Sequence, residues 1–184
     1  MADTTLADKP SDFEIPGPLV RRVVTVGGTG KTQLLSLLVA AGVELNEAAH
    51  VLFDSHLFKA LETTQSLSTV ELSVGQLGFS QGATQPQLLE RALSLGLQLA
   101  PIELGPHLRL QYLDQPEGCW GYPETKHQAP PGSIQIASAP LSEDDQLPKG
   151  FYLRRIKGVL WLRGFWSDLQ HVYQPTDRFV FCSP

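Results

Sequence analysis

The spacing of apolar residues predicts three helices in the first half of the chain. The first is expected over 33–41, where apolar side chains recur every three or four residues and a glycine follows. The second begins after Asn46, a residue type that caps helix N-termini, and its apolar stripe continues to Leu61. The third has the form of a capping box, with a hydroxyl at Thr84 and an amide at Gln87 before helically spaced leucines.

From Leu97 onward the pattern changes to alternation of apolar and polar residues, which is typical of strands. Two strands are also expected in the first half. The predicted strands cover 23–26, 70–74, 108–113, 134–136, 151–156, 159–163 and 178–182. Lys157 and Gly158 suit a tight hairpin turn between two of them. Helices followed by strands without intervening helices predict an α+β fold with a mainly antiparallel sheet.

The length of 184 residues suits a single domain. We expect this domain over 19–184, with a helical part over about 19–96 and a mainly β part over about 97–184. Residues 1–18 contain three prolines, several acids and few large apolar side chains. Such a composition predicts a disordered N-terminal arm.

Charge and composition narrow the function classes. The net charge of −5 and the pI of about 5.5 argue against a nucleic-acid or anionic-membrane binder. The densest cationic group is expected on the solvated face of a hairpin; its members are Arg154, Arg155, Lys157 and Arg163. No apolar run is long enough to span a membrane, the N-terminus lacks a signal-peptide pattern, and only Cys119 and Cys182 are present. A soluble cytoplasmic protein is predicted.

The stretch "VTVGGTGKTQLL" imitates a phosphate-binding loop of the form G-x-x-x-x-G-K-[ST]. The first glycine of that motif opens the loop so that backbone N–H groups can surround a phosphate. In this chain that position is Thr25. We therefore interpret the stretch as a strand-to-helix turn capped by Thr29 or Thr32, and keep nucleotide binding through Lys31 and Thr32 as an alternative.

The second motif is "GFSQG", in which Ser80 matches the G-x-S-x-G of hydrolase nucleophile elbows. The elbow needs a strand that runs directly into the serine and a helix that leaves at once, and neither is predicted here. Asp144 or Asp168 followed by His171 would give the chain order of a catalytic triad. A serine hydrolase that uses Ser80 is thus a second alternative to a structural loop.

The remaining polar residues give no metal or cofactor prediction. The five histidines are scattered without the spacing of a metal site; they are His50, His56, His107, His127 and His171. A polar group around the predicted strand 108–113 is the most plausible ligand-binding set if a pocket exists; it consists of Glu103, Arg109, Gln111, Asp114 and Gln115.

The segment "LGFSQGATQPQLLERALSLGLQLAPIELGPHLRLQYLDQPEG", from Leu77 to Gly118, resembles part of small bacterial proteins that carry no assigned activity. The closing "DRFVFC" from Asp177 is similar to their ends. The resemblance implies a single soluble bacterial unit and transfers no catalytic residues. With no complete catalytic motif, we expect a non-catalytic domain that binds a protein partner rather than nucleic acid or membrane.

Overall fold

Strands from both halves of the chain form one seven-stranded sheet in the computed structural model, which describes residues 15–118, 131–167 and 170–184. The strands are β1 (Val20–Val26), β2 (Val43–Leu45), β3 (Gln65–Ser73), β4 (Ala83–Thr84), β5 (Ile134–Ile136), β6 (Gly150–Ile156), β7 (Val159–Phe165), β8 (Val172–Tyr173) and β9 (Arg178–Cys182). The helices are α1 (Lys31–Ala40), α2 (Glu47–Asp54), α3 (Gln85–Ser94) and α4 (Leu104–Gln111).

The strand order is β1-β3-β9-β5-β6-β7-β2, so β1 and β2 are the two edge strands of the main sheet. Neighbours are antiparallel except for the pairs β5–β9 and β2–β7. β4 and β8 form a separate two-stranded sheet. The predicted α+β class with a mostly antiparallel sheet is confirmed, although the helices are not strictly N-terminal, because α4 lies in the part of the chain that was expected to be mainly β.

The sheet has a hydrophobic core on each face. The first core contains Leu34 of α1, Leu52 of α2 and Leu104 of α4, and the second contains Leu88 of α3. Strand β9 contributes to both cores because its side chains alternate: Val180 and Cys182 belong to the first, Phe179 and Phe181 to the second. The central strands therefore connect the two cores directly.

Several local predictions are confirmed. Asn46 caps α2, since its side-chain oxygen accepts a hydrogen bond from the Ala49 N–H at 3.1 Å. The capping box at the start of α3 is present, with the Gln87 side chain accepting from the Thr84 N–H at 2.9 Å. The hairpin β6–β7 turns at Lys157 and at a glycine, and the closing strand has the predicted bounds.

The prediction of a strand over 108–113 is wrong, because this part of the chain forms α4 and the residues after it. Leu104 and Leu108 are four residues apart and both are buried in the first core. Pro106 lies in the first turn, where a helix tolerates proline because the N–H there has no intrahelical partner. The alternating leucines were thus read with the wrong period.

Two further expectations need correction. Helix α2 ends at Asp54, although its apolar stripe was expected to reach Leu61, and the chain then turns so that Phe58 enters the first core. Residues 15–18 are attached to the fold, since the Gln76 amide donates to the carbonyls of Pro16 and Pro18. Residues 1–14 of the predicted arm, and residues 119–130 with Cys119 and His127, lie outside the described residues.

The basic hairpin is not a uniformly solvated face. Arg154 is buried, Arg155 is half-buried and forms an ion pair with Glu117 at 3.5 Å, and Arg163 is half-buried with its guanidinium over the Trp161 ring. These cations have partners within the protein and do not form the exposed basic track that a nucleic-acid interface requires.

Candidate binding site at an edge strand

The glycine turn between β1 and α1 uses its N–H groups inside the protein. The Gly27 N–H donates to His107 Nε2 at 3.2 Å, and the Gly28 N–H donates to the Leu61 carbonyl at 2.9 Å. A Cβ atom added to Gly27 would lie 2.2 Å from the Thr63 carbonyl oxygen. The N–H groups of Gly27 and Gly28 are therefore engaged by other parts of the protein rather than open to a phosphate.

Lys31 and Thr32 lie at the start of α1. The Lys31 ammonium donates to the Ser55 carbonyl at 2.7 Å, which ties the end of α2 to α1. Thr32 is exposed. The N-cap of α1 is Gly30, with no side-chain hydrogen bond, so the prediction that Thr29 or Thr32 caps this helix is wrong.

Ser80 lies in the turn between β3 and β4, with its side chain exposed. β3 ends seven residues before it, at Ser73, and α3 begins only at Gln85. Within residues 15–118, 131–167 and 170–184, no hydrogen bond is formed by the Ser80 hydroxyl. The strand and helix of a nucleophile elbow do not flank this serine.

The triad partners considered for Ser80 lie in other surroundings. The His171 ring packs edge-on against Tyr173, with the ring centres 4.6 Å apart. Asp144 accepts from the Gln146 N–H in the loop around Lys149, whose ammonium donates to the Asp144 carbonyl. Asp168 is outside the described residues.

One polar stripe of α4 holds the end of β1 and the turn that follows. Its members Glu103, His107 and Gln111 are four residues apart and lie on one face of the helix. Glu103 accepts from the Leu61 N–H at 2.8 Å, and His107 accepts from the glycine turn. The Gln111 side chain accepts from the Thr25 N–H at 3.0 Å and donates to the Thr25 carbonyl at 2.8 Å.

Burial sets the protonation of two members of this stripe. Burial raises the pKa of Glu103, and the hydrogen bond from the Leu61 N–H opposes this shift. The other Glu103 carboxyl oxygen, Oε1, is buried and has no hydrogen-bond partner among the residues that the structure describes. Burial lowers the pKa of His107, which fits a neutral ring whose Nε2 atom accepts a hydrogen bond.

Arg109 and Gln115 lie apart from this stripe and support the fold. Arg109 is fully buried, and its guanidinium donates to the Gln115 side chain and to the Tyr112 carbonyl. Burial lowers the pKa of Arg109 to about 10. Asp114 is exposed. The predicted ligand-binding residues therefore do not form one group. Arg109 and Gln115 are buried in the fold, Asp114 is exposed in a loop, and the others belong to the polar stripe of α4.

The first half of β1 has an open edge that the sequence analysis missed. Both backbone groups of Thr25 bond to Gln111 and so point away from β3. Backbone groups alternate in direction along an antiparallel strand, so Arg21 and Val23 point the same way as Thr25. Within the described part of the chain, these outward groups of Arg21 and Val23 have no hydrogen-bond partner.

A groove lies over the paired strands β1 and β3, next to the residues that follow β9, and Arg21 and Val23 are among the residues that line it. Its volume is about 250 Å³, and it is lined by Arg21, Arg22, Val23, Ser68, Thr69, Ser183 and Pro184. Val23 is 71% exposed, which is unusual for a β-branched side chain on a strand. The adjacent arginines of "VRRVVTV" are the sequence signal for this edge, because charged residues mark strands at sheet edges.

The described regions lack both a metal-binding cluster and a membrane-spanning helix. Residues 15–118, 131–167 and 170–184 contain no cluster of three His, Cys, Asp or Glu side chains able to hold a metal ion. No helix among them is long and apolar enough to cross a membrane.

Comparison with protein-family profiles, characterised proteins and solved structures gave no match to this chain.

Proposed function

We propose that this protein is a non-catalytic binding domain that recognises an extended segment of a protein partner by strand addition to β1. The observation that supports this function is the divided edge of that strand. Its second half is closed by His107 and Gln111 of α4, whereas the outward backbone groups of Arg21 and Val23 are open. An extended peptide can complete such an edge through main-chain hydrogen bonds.

The open half-edge suits a short and weakly bound segment. Arg21 and Val23 each offer one N–H and one C=O, which gives four backbone groups for an incoming strand. A hydrogen bond of this kind contributes about 0.5–1.5 kcal/mol net. Burial of the exposed Val23 side chain adds apolar contact area.

The proposal includes a soluble protein of the bacterial cytoplasm that acts without a cofactor. The net charge of −5 supports a protein partner over nucleic acid or an anionic membrane. The basic side chains of the β6–β7 hairpin that are buried or paired add to this support.

The two enzymatic alternatives remain hypotheses with their own tests. Nucleotide binding predicts saturable ATP or GTP binding that is abolished in Lys31→Ala. A serine hydrolase predicts labelling by a serine-directed probe that is lost in Ser80→Ala. The engaged N–H groups of the glycine turn and the isolated Ser80 hydroxyl favour the binding domain over both.

The test of the proposed function is Val23→Pro. Proline lacks an N–H, and the N–H of Val23 points away from β3, so the substitution removes an edge donor while the β1–β3 hydrogen bonds stay intact. The probe is the end-blocked heptapeptide Thr-Val-Thr-Glu-Thr-Val-Thr, titrated to millimolar concentration and followed by amide NMR. We expect binding to be about two- to tenfold weaker in Val23→Pro, as the loss of one hydrogen bond predicts.

Val23→Thr is the matched control, because threonine keeps the strand preference and the N–H donor. Its binding should stay near that of the native protein. Equal binding by all three proteins, or shifts that cluster away from β1, would overturn strand addition at this edge.

A further inference from the structure

We infer that the recognised segment carries a carboxylate side chain opposite Arg21 and an apolar side chain two residues away, opposite Val23. This inference rests on the proposed function and adds the chemistry of the partner. The open backbone groups alone would accept any extended chain, since main-chain hydrogen bonds carry no side-chain information. Selectivity must come from the side chains beside the open edge.

Arg21 is the cation that an incoming side chain would meet. It is exposed, and within the described residues it forms no ion pair. Its neighbour Arg22 is engaged already, because its guanidinium forms an ion pair with Glu71 at 2.8 Å and lies over the Tyr112 ring at 4.1 Å. No aspartate or glutamate lines the adjacent groove. The guanidinium of Arg21 is therefore the charge that a side chain opposite it would meet, and this favours a carboxylate at that position.

Strand geometry fixes the spacing of the two recognised side chains. Arg21 and Val23 are two residues apart in a regular ladder, so their side chains lie on the same face. Residues opposite them on a paired strand are also two apart and on that face. A carboxylate and an apolar side chain at positions i and i+2 thus meet the guanidinium and the valine together.

Gln111 limits how far this segment can pair. Its amide group donates to and accepts from Thr25, as a strand residue would, and occupies the next position along the edge. A longer strand would have to displace this side chain. The site therefore selects a short segment whose paired part ends before Thr25.

Charge argues against a second copy of this chain as the occupant. A symmetric antiparallel pairing of two β1 strands through Arg21 and Val23 centres on Arg22. It would place the Arg22 side chains of the two copies opposite each other on one face of the sheet and the two Arg21 side chains in diagonal positions on the other face. Like charges at this distance destabilise strand pairing, whereas an acidic segment removes the repulsion.

The test compares three end-blocked heptapeptides by amide NMR titration of the full chain. Their sequences are Thr-Val-Thr-X-Thr-Val-Thr, with X as Glu, Gln or Lys, and their symmetry allows either strand direction. We expect the Glu peptide to bind about three- to tenfold tighter than the Gln peptide and the Lys peptide to bind weakest. In Arg21→Glu this order should reverse, and in Arg21→Gln it should vanish.

The possible failures are distinguishable. Equal affinities for the three peptides, each lowered by Val23→Pro, would overturn the carboxylate preference and leave strand addition standing. No binding of any peptide would overturn both proposals. A concentration-dependent dimer that dissociates in Val23→Pro would show a second copy on this edge and would likewise overturn the inference.

Discussion

At the residue scale, two properties of Gly27 determine the role of the glycine turn: its positive φ angle and the close approach of the Thr63 backbone. The φ angle is +82°, a conformation that favours glycine, and the Thr63 carbonyl lies where a side chain would begin. A phosphate-binding loop needs glycines so that backbone can approach a ligand. Here the same residue type allows two parts of one chain to approach each other.

Gly27→Ala should therefore cost more than the backbone conformation alone. Gly42 is the matched control, because its φ of +70° is similar and no atom lies within 4 Å of an added Cβ. We expect Gly42→Ala to lower the free energy of unfolding by about 1 kcal/mol, and Gly27→Ala by a further 1–3 kcal/mol for overpacking. Urea denaturation measures both. Equal losses would mean that the turn is open.

At the element scale, α4 does for β1 what a neighbouring strand would do. An exposed strand edge invites pairing with other chains, and proteins cover such edges with charges, bulges or other elements. The polar stripe of α4 closes the edge from Thr25 to Gly27 through Gln111 and His107. The open part that remains is consequently a short segment of edge rather than a whole exposed strand.

His107 makes this closure dependent on pH. Burial lowers its pKa below the ordinary 6.5, so the unfolded chain binds the proton more readily than the native protein does. The contribution of neutral His107 to the free energy of unfolding is thus fully present above pH 6.5 and is lost as the pH falls below that value. Glu103, four residues earlier, has the opposite effect, because its raised pKa favours the native state at acid pH.

His107→Gln separates the two contributions, since glutamine has an oxygen that can accept from the Gly27 N–H but does not titrate. The difference in unfolding free energy between the native protein and the variant should shrink or change sign from pH 7.5 to pH 5.5, as the native protein loses stability relative to the variant. Urea denaturation across this range is the measurement. A difference that stays constant with pH would contradict a neutral buried His107.

At the scale of the whole molecule, the sheet joins two cores through shared strands. Because Val180 and Phe181 are consecutive in β9 and enter opposite cores, one core cannot lose its order without affecting the other. This supports the expectation of a single domain over 19–184 and predicts one cooperative unfolding transition.

Leu52→Ala and Leu88→Ala test this cooperativity, one in each core. Both side chains are fully buried, so each substitution should cost about 2–5 kcal/mol. We expect each variant to lower the midpoint of one common thermal transition, observed by calorimetry. Two separate transitions, each sensitive to one substitution, would contradict the single domain.

The sequence predicted this architecture where the local signal and the tertiary fold agree. Asn46, the capping box at Thr84 and the hairpin at Lys157 act within a few residues and were identified correctly. The order of strands was not predictable, because it depends on pairings between distant segments such as β3 with β9. Helix α4 was missed although the spacing of Glu103, His107 and Gln111 carries the helical period.

The candidate site was less predictable than the fold. Its defining property is which backbone groups of β1 remain open, and this depends on α4 lying against that strand, some 80 residues later in the chain. Gln111 was among the predicted ligand-binding residues, but its side chain closes the edge of β1 at Thr25. The part of the edge at Arg21 and Val23 stays open. The motifs around Ser80 and Lys31 are recognisable in the sequence because each consists of consecutive residues.

The most direct test of strand addition at β1 is amide hydrogen exchange of the native protein with and without the Glu heptapeptide. Without peptide, we expect the amides of Arg21 and Val23 to exchange rapidly, while those of Thr25 and Gly27 are protected by α4. Peptide should then slow exchange at Arg21 and Val23 selectively. Slow exchange at these two amides before peptide is added, or no change after saturation, would contradict the account.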